Sequence, residues 1–294
     1  MGKRLDGREI SADMRAEMKA DIERLQEEHE LVPGLAAVLV GDNPASLSYV
    51  RSKGKACEEL GLHSLQVDLP ADSSTEDVLA AVEKLNQDEA VHGILVQLPL
   101  PGQDEQKVVN AIDPNKDVDG LHPVNLGRLV RQEEGFWPCT PHGVLQILSR
   151  SGIDVKGKHA VVVGRSTLVG RPVANLLGHK ADGANATVTL CHTGTQDLGY
   201  FTRQADILIV AAGFPQGIKA DMVKEGAVVI DVGINQIDDP SRERGWRLVG
   251  DVDYKEVRKK ASAITPVPNG IGPMTIALLL YNTVWSAKRK HGLE

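Results

Sequence analysis

The chain has 294 residues, of which 40 are acidic and 33 basic, and its formal net charge is −7 at pH 7. The length is enough for two domains, whereas the acidic balance, the lack of a dense lysine or arginine block and an aromatic content of 3% argue against a nucleic-acid partner. The N-terminus lacks the apolar core of a signal peptide, and the apolar run 276–280 is too short to cross a membrane, so a cytoplasmic protein with no membrane partner is expected.

Cysteine and histidine spacing gives no indication of a disulfide framework or a metal site. Cys57, Cys139 and Cys191 are odd in number and far apart, and no Cys-x-x-Cys pair occurs. The nine histidines show no His-Glu-x-x-His or comparable ligand spacing. Cys57 falls on an apolar helical stripe and is interpreted as a small core residue.

Apolar runs alternate with amphipathic helical stretches from end to end. The predicted strands are 35–40, 64–69, 93–98, 159–163, 186–191, 206–211 and 227–232. The predicted helices are 11–30, 46–60, 75–86, 141–149, 171–179, 198–204 and 254–260. Short, almost wholly apolar strands are typical of parallel strands covered on both faces, and their alternation with helices predicts an α/β protein.

A domain boundary is predicted between about residues 121 and 140. The first domain then comprises 1–121 together with 273–294, and the second comprises 139–272. The last helix, 274–285, is apolar nearly all round and must therefore be buried. We expect it to pack back onto the first domain and to close a cleft between the two.

One lysine lies on the apolar face of a predicted helix. Tyr49, Lys53, Cys57 and Leu60 share a stripe at helical spacing, so Lys53 is placed among residues that should face the interior. Burial there lowers the pKa of an amine, which makes it able to take a proton near neutral pH. On spacing alone, a lysine that extends its charged end to water remains the simpler interpretation.

A glycine-opened turn follows the predicted strand 159–163 and precedes a helix. Gly164, Arg165 and Ser166 occupy this turn at the start of a βαβαβ run, the context in which a pyrophosphate binds at a helix N-terminus. The alternative is an ordinary tight turn, because Ser166 stands where the second glycine of GxGxxG belongs. The next strand ends without a carboxylate for the ribose hydroxyls of NAD, and Arg165 offers positive charge to a 2′-phosphate, so NADP is favoured over NAD.

Three further loop-like segments carry polar chemistry. Gln97 ends an apolar strand and must be hydrogen-bonded, either locally or to a ligand. Asp117 and Asp119 lie in one tight loop, and each taken alone is best explained as a turn cap. The segment 265–275 is rich in proline and glycine, which suits close approach to a flat ligand or a sharp chain reversal.

Taken together, these motifs resemble one family, the bifunctional methylenetetrahydrofolate dehydrogenase/methenyltetrahydrofolate cyclohydrolases, over essentially the whole chain. The matching pieces, in chain order, are Tyr-Val-Arg-Ser-Lys at 49–53, Gly-Ile-Leu-Val-Gln-Leu-Pro-Leu-Pro at 93–101, Lys-Asp-Val-Asp-Gly at 116–120, Pro-Cys-Thr-Pro at 138–141, Gly-Arg-Ser at 164–166 with Gly-Arg-Pro at 170–172, and the segment 264–275. The resemblance implies a folate substrate in the interdomain cleft, a homodimer formed through the nucleotide-binding domains, and a place in one-carbon metabolism and purine biosynthesis.

The resemblance also implies roles for individual residues. Lys53 is the expected cyclohydrolase residue, Gln97 assists it, Asp119 binds the pterin and Tyr49 packs against it. The implied cofactor-contacting positions are Gly164, Arg165, Ser166, Thr193 and Ile234. The implied substrate-binding positions are Tyr49, Lys53, Val96, Gln97, Leu98, Asp119, Pro268, Asn269, Gly270, Ile271 and Gly272.

The chain departs from the family pattern at two places. Asn269-Gly270 stands where the family commonly has Gly-Gly, and asparagine tolerates a positive φ better than most residues. The segment 193–196 supplies no positive charge, which leaves Arg165 as the main support for NADP. Two alternatives are a shikimate dehydrogenase-like NADP enzyme, which predicts neither Gln97 nor the terminal Pro/Gly loop, and a catalytically silent folate-binding protein, against which Lys53, Gln97 and Asp119 count.

Overall fold

Two parallel sheets, each flanked by helices, organise the chain. The computed structural model describes residues 1–293. Met1–Ala12 and Thr140–Thr275 form one unit, here called the six-stranded unit. Asp13–Cys139 and the stretch that begins at Ile276 form the other, called the three-stranded unit.

The strands in chain order are β1 Lys3–Arg4, β2 Gly34–Val40, β3 His63–Leu69, β4 Gly93–Val96, β5 His159–Val163, β6 Thr187–Cys191, β7 Ile207–Val210, β8 Val228–Asp231, β9 Asn235–Asp238, β10 Trp246–Val249 and β11 Ala263–Ile264. The α-helices are α1 Gly7–His29, α2 Pro44–Leu60, α3 Thr75–Gln87, α4 Glu105–Ala111, α5 Pro123–Arg131, α6 Cys139–Arg150, α7 Gly170–Gly178, α8 Leu198–Thr202, α9 Tyr254–Lys260 and α10 Ile271–Lys290. A 3-10 turn covers Ala220–Met222.

In the three-stranded unit the strand order is β3-β2-β4, with both pairings parallel. β2 is buried along its whole length because helices cover both faces of the central strand. The apolar faces of β2, β4 and α3 form one core that includes Val38, Val82 and Ile94. α3 begins at a capping box in which Ser74 and Asp77 satisfy each other's backbone N–H groups.

In the six-stranded unit the order is β1-β11-β8-β7-β5-β6, again with every pairing parallel. β5 comes first in the βαβ run and has β6 on one side and β7 on the other. The strand order therefore reverses at β5, and the carboxyl end of this strand lies at the topological switch point. β9 and β10 form a separate antiparallel pair.

The last helix contributes its C-terminal part to the three-stranded unit. Residues 277–280 of α10 are buried. Asn282 donates a hydrogen bond of 2.8 Å to the carbonyl of Val118, and Ser286 donates one of 2.6 Å to the carbonyl of His92. The C-terminal part of the last helix therefore packs onto the unit that contains β2, β3 and β4.

All seven predicted strands and the first seven predicted helices are confirmed, with ends that differ by at most four residues, and the last helix, predicted at 274–285, extends over Ile271–Lys290. The elements that sequence analysis missed are short or polar. β1 and β11 have two residues each, too few for a pattern; β9 alternates partly buried and exposed polar positions, and β10 is only four residues long. α4 and α5 have seven and nine residues, and α5 lies within the stretch 121–140 that was predicted to contain the domain boundary.

No helix within residues 1–293 is both long enough and apolar enough to cross a bilayer.

Candidate functional site

Lys53 and Gln97 form a direct hydrogen bond in the three-stranded unit. Lys53 lies in the middle of α2 and is 7% exposed, so the interpretation that its charged end reaches water is wrong. Its Nζ donates to Oε1 of Gln97 at 3.0 Å. Gln97 follows β4 directly and uses its Nε2 to donate to the carbonyl of Leu98 at 2.8 Å. The amide is thus held at both ends and presents an uncharged acceptor to the amine.

The charge on Lys53 is set by three opposing effects. Burial lowers its pKa below the ordinary 10.5, and this is the largest effect. The carboxylate of Asp119 raises the pKa, and so, less strongly, does the thiol of Cys139. In return Lys53 opposes the rise that burial causes in the pKa of Asp119. A buried amine and a partly buried carboxylate therefore stabilise each other's charges, while burial favours the neutral form of both.

The loop at 116–120 gives its three charged residues three different tasks. Lys116 donates to the carbonyls of Leu85, Asn86 and Asp88 at 2.7–3.0 Å and so binds the C-terminal end of α3. The Asp117 carboxylate makes its hydrogen bonds with residues 121, 122 and 125, at the start of α5. Only Asp119 shares an electrostatic interaction with Lys53.

Asp117 holds the start of α5. Its carboxylate accepts from the backbone N–H of Leu121 at 3.1 Å, from that of His122 at 2.9 Å and from Nδ2 of Asn125 at 2.8 Å. Burial raises the pKa of Asp117 to about 7 in spite of these donors. Its turn-capping role is confirmed.

Cys139 and Asn282 support the backbone beside Asp119. The Cys139 thiol donates to the carbonyl of Val118 at 3.2 Å, and its backbone N–H donates to the carbonyl of Asp119 at 3.2 Å. Asn282 contacts the same Val118 carbonyl and lies 3.6 Å from Sγ of Cys139. Burial and then the nearby Asp119 raise the pKa of the thiol, so Cys139 stays a neutral donor. Sequence analysis missed both supports; the signal for Asn282 was an amide within an apolar helix.

Tyr49 lies one turn before Lys53 on α2 and is 38% exposed, and partial burial raises the pKa of its hydroxyl. Val96 is buried at the end of β4, and Leu98 is partly buried beyond Gln97. Cys57, one turn after Lys53, is fully buried, and burial raises its pKa to about 12. Cys57 is therefore an inert core residue, as predicted.

In the six-stranded unit, the glycine turn lies where β5 ends at the switch point. Gly164 has a φ of +120°, and a Cβ there would overlap the carbonyl oxygen of Ala211, so this position requires glycine. The Ser166 hydroxyl accepts from the N–H groups of Val169 and Gly170 at 3.1 and 3.4 Å. The turn thus leads the chain closely past the sheet edge into α7, which is the backbone arrangement that suits a pyrophosphate.

Two of the expected cofactor-contacting residues, Arg165 and Thr193, are both exposed. Thr193 lies in a turn after β6 in which the backbone N–H of His192 donates to Thr195. The next carboxylate along the chain, Asp197, accepts from the backbone N–H of Tyr200 and caps α8. Its capping role leaves the end of β6 with hydroxyls and the Arg165 cation, and these residues fit NADP better than NAD.

The loop 265–272 adopts a conformation that tolerates asparagine at position 269. Asn269 has a φ of +79°, and its carbonyl accepts from the backbone N–H of Gly7 at 2.9 Å. Pro268 is exposed, whereas Gly270 and Ile271 are buried and Gly272 is partly buried. Ile234, on the segment between β8 and β9, is 47% exposed. These residues belong to the six-stranded unit, whereas Lys53, Gln97 and Asp119 belong to the other.

Among residues 1–293, no group of three or more histidine, cysteine, aspartate or glutamate side chains is arranged to hold a metal ion. Two buried aspartates, Asp231 and Asp251, bind loops at the carboxyl edge of the six-stranded sheet and were missed by sequence analysis. The signal that could have found Asp231 is a carboxylate at the end of an otherwise apolar strand.

A parallel sheet with a glycine turn at its switch point, on a chain that also carries a buried lysine bonded to a glutamine, defines a two-domain α/β enzyme with a dinucleotide-binding domain. The protein-family model for the tetrahydrofolate dehydrogenase/cyclohydrolase catalytic domain matches residues 5–119. The family model for the NAD(P)-binding domain of the same proteins matches residues 138–291. The chain belongs to the tetrahydrofolate dehydrogenase/cyclohydrolase family.

Individual relatives agree over the full length. The bifunctional protein FolD of Chlorobium phaeobacteroides is 57% identical over 292 residues, which are 98% of this chain and 99% of the relative. The crystal structure of the bifunctional FolD enzyme of Campylobacter jejuni is 50% identical, with a TM-score of 0.92 over 99% of this chain and 100% of that one. The Trypanosoma brucei FolD structure, a complex with NADP cofactor and inhibitor, is 40% identical, with a TM-score of 0.93 over 99% and 98%.

Shikimate dehydrogenases share only the fold. The enzyme of Thermus thermophilus is 19% identical, with a TM-score of 0.52 over 87% of this chain. The shared fold explains why a shikimate dehydrogenase-like enzyme was an alternative, and the family match does not favour that alternative.

Proposed function

We propose that this chain oxidises 5,10-methylenetetrahydrofolate to the methenyl compound with NADP+ and then hydrolyses that compound to 10-formyltetrahydrofolate. The observation that carries the proposal is the buried Lys53 amine, bonded to Gln97 and electrostatically coupled to Asp119. A structural lysine has no need of this environment, whereas a proton acceptor that must work on a cationic substrate does.

Folate binding is assigned to residues on both sides of that amine. The Asp119 carboxylate can accept two N–H bonds from the amino-pyrimidine edge of the pterin, a charge-assisted arrangement. Tyr49, half-exposed one turn before Lys53, packs against the pterin ring. Val96, Leu98 and the loop residues from Pro268 to Gly272 complete the proposed substrate-binding set.

Loss of a hydride from the methylene carbon of the substrate needs little acid–base catalysis by the protein. The methylene carbon lies between two nitrogens whose lone pairs stabilise the cation that forms, so no strong general base is needed. The residues' task is to position the substrate. When bound, NADP+ supplies the acceptor for the hydride.

Hydrolysis of the methenyl cation is the step assigned to Lys53. Water adds to the cationic carbon, and one proton of that water passes to the neutral amine, which leaves a hydroxyl on the carbon. The bond from the carbon to one of its two nitrogens then breaks as the hydroxyl becomes the formyl C=O, and the hydroxyl proton is transferred to the departing nitrogen. The cation repels a charged lysine, which lowers the pKa of Lys53 further. Gln97 orients the amine through its carbonyl oxygen and adds no charge.

Gly164, Arg165, Ser166, Thr193 and Ile234 are proposed to hold the dinucleotide. The preference for NADP over NAD is supported by the exposed Arg165 cation. It is also supported by Asp197, whose carboxylate caps α8 instead of being available for the ribose hydroxyls of NAD. It is also supported by the T. brucei relative, whose structure is a complex with NADP.

The wider setting is inferred from the family. We assign residues 1–121 with 273–294 to folate chemistry and 139–272 to dinucleotide binding, in a cytoplasmic homodimer that supplies one-carbon units for purine biosynthesis. A catalytically silent folate-binding protein is disfavoured because it has no need of a buried amine whose pKa is lowered.

The test is a pair of assays on the purified chain. Reduction of NADP+ and of NAD+ is followed in parallel with methylenetetrahydrofolate, and hydrolysis of the methenyl compound is followed by its absorbance. We expect faster reduction of NADP+ and enzyme-dependent hydrolysis. Properly folded protein that lacks both activities contradicts the proposal, and faster reduction of NAD+ contradicts the assignment of Arg165.

A further inference from the structure

One buried carboxylate gathers the backbone of two loops in the six-stranded unit. Oδ2 of Asp251 accepts from the N–H groups of Ala212 and Gly213 at 2.7 and 2.9 Å. Its Oδ1 accepts from the N–H of Phe214 and from Nδ2 of Asn235, both at 2.9 Å. Residues 212–214 follow β7, and Asn235 begins β9 just after β8. A single side chain thus joins segments that leave two neighbouring strands.

Asp251 is in turn held by a second buried carboxylate, that of Asp231 at the end of β8. Oδ1 of Asp231 accepts from the N–H groups of Gly233 and Asp251 at 3.0 Å each, and its Oδ2 accepts from that of Val252 at 3.0 Å. A Cβ on Gly233 would overlap the Asp251 carboxylate, and one on Gly250 would overlap that of Asp231. The two aspartates and the two glycines therefore interlock.

The loop held by Asp251 also touches the glycine turn at the switch point. Ala211 immediately precedes the three bonded N–H groups, and its carbonyl lies where a Cβ of Gly164 would be. Its own N–H donates to the carbonyl of Val163 at 2.8 Å. The backbone after β5, β7 and β8 is therefore one connected assembly, and these three strands are neighbours in the sheet.

The outer surface of this assembly is open to a ligand. Residues 212–214 are exposed, with Phe214 at 64% and Ile234 at 47%, whereas both carboxylates beneath them are buried. Burying two carboxylates under an exposed loop carries a desolvation cost, and seven N–H donors offset it. The hydrogen bonds to Asp251 fix the backbone of residues 212–214, which are exposed and could not hold this geometry by themselves.

The two halves of a dinucleotide are expected on opposite sides of β5. In doubly wound sheets the end of the second strand meets the adenosine ribose, and here that strand is β6, with Thr193 in the turn that follows it. The segments bound by Asp251 lie on the other side of β5, after β7 and β8. They are therefore placed for the nicotinamide half.

We propose that Asp251, supported by Asp231, is a positioning residue for the nicotinamide half of the dinucleotide. It fixes residues 212–214 and 233–235 before the ligand arrives, so that binding carries little further ordering cost. This inference rests on the proposed dinucleotide site and adds to it a residue whose side chain is directed inward, away from the ligand face.

The test compares a whole dinucleotide with its adenosine half. NADP+ and adenosine 2′,5′-bisphosphate are each titrated calorimetrically into the wild-type chain and the Asp251→Asn variant. An asparagine turns an N–H₂ group toward backbone donors, so the loop loses its fixed shape. We expect the Kd of NADP+ to rise by about tenfold or more, and that of the bisphosphate to stay within about twofold.

Two further variants keep the test decisive. Asn235→Ala removes a single donor to Asp251 and should raise the Kd of NADP+ by about threefold, again with no effect on the bisphosphate. Asp206→Asn is the matched control, because Asp206 also accepts a backbone N–H, that of His159 at 3.0 Å, but precedes β7 at the amino edge of the same sheet. It should leave both affinities unchanged.

Each outcome decides. If Asp251→Asn weakens both ligands equally, the residue serves only folding and the inference is overturned. If Asn235→Ala binds NADP+ as the wild type does, the inference is overturned even where Asp251→Asn does not fold. If the wild-type chain binds the dinucleotide and neither variant differs from it, this inference alone fails. Wild-type protein that binds neither NADP+ nor NAD+ refutes the proposed function instead.

Discussion

Lys53 and Gln97 are joined by a hydrogen bond of 3.0 Å between residues 44 positions apart in the chain. The bond connects the middle of α2 with the end of β4, and it gives a buried amine a neutral acceptor. A carboxylate in place of Gln97 would hold the amine charged at neutral pH, whereas an apolar residue would leave it without this partner. The amide allows the amine to exist in both protonation states.

Lys53→Met should separate the two activities. The methionine keeps the volume of the side chain but has no proton acceptor, so hydrolysis of the methenyl compound is expected to fall by about 100-fold or more. Reduction of NADP+ with the methylene compound should stay within about threefold, because that step needs positioning more than a base. Both rates are measured on the same preparation.

The matched control is Lys55→Met. Lys55 lies two residues further along α2, with its side chain 77% exposed and in a surface ion pair with Glu59. It should retain both activities, since exposed pairs contribute little. An equal loss of both activities in Lys53→Met would show that the division of roles is wrong.

The pH dependence of hydrolysis should move in opposite directions in two variants. Hydrolysis needs the neutral amine, so its rate rises with pH through the lowered pKa of Lys53. Gln97→Glu adds a negative charge beside the amine, raises its pKa and should shift the rising limb to higher pH by about one unit. Asp119→Asn removes the charge that raises the pKa and should shift the limb to lower pH. Profiles of kcat/KM measure both; shifts in the same direction would contradict the assignment of Lys53 as base.

Arg165→Ala tests the choice of cofactor. If this arginine meets the 2′-phosphate, its loss should raise the KM for NADP+ by about tenfold and leave that for NAD+ within about twofold, because a charge-assisted bond is lost for only one of them. Lys180→Ala, which removes another exposed cation after α7, is the control. A parallel loss for both cofactors would indicate a role in shaping the turn.

Asn125→Ala should destabilise the fold more at pH 8 than at pH 5. The pKa of Asp117 is raised from its ordinary 3.8 to about 7, so its carboxyl is protonated in the folded chain at pH 5 and ionised at pH 8. Because the folded pKa is the higher one, the stability linked to this group is present at low pH and is lost as pH rises toward 7 and beyond. The hydrogen bond from Asn125 lowers the pKa of Asp117, so removing it raises that pKa further. The loss of folding stability above pH 7 then becomes larger.

We expect a loss of about 2–3 kcal/mol at pH 8, where the bond is to a charged group, and about 1 kcal/mol at pH 5. Urea unfolding at the two pH values measures both. Asn115→Ala, at an exposed position immediately before the loop 116–120, is the control and should show no difference between them. Equal losses for Asn125→Ala at both values would mean that Asp117 keeps one protonation state.

Asn269→Gly should be nearly silent, whereas Asn269→Val should not. The φ of +79° at this position is open to glycine and asparagine but strained for a β-branched residue by about 1–2 kcal/mol. Thermal unfolding should therefore separate the valine variant from the other two. The KM for methylenetetrahydrofolate should follow the same order, since the loop is proposed to contact the substrate; an unchanged KM in the valine variant would remove the loop from the substrate site.

Local pattern was enough for the sequence to determine much of this protein. Strand–helix alternation, the apolar stripe that includes Lys53 and the turn that begins at Gly164 are all set by residues within a few positions of one another. The order of the motifs identified the family. Elements as short as β1 and β11 could not be predicted from the sequence, because two residues form a strand only when a partner strand is already in place.

Only the tertiary structure decided which charged groups meet. Asp117 and Asp119 are equivalent in sequence, yet one holds the start of α5 and the other is coupled to Lys53. Asn282 and the interlocked pair Asp231 and Asp251 act on backbone groups far from them in the chain. The physical reason is that burial and hydrogen bonding set the charge of a side chain, and both depend on segments that the fold brings together across the sequence.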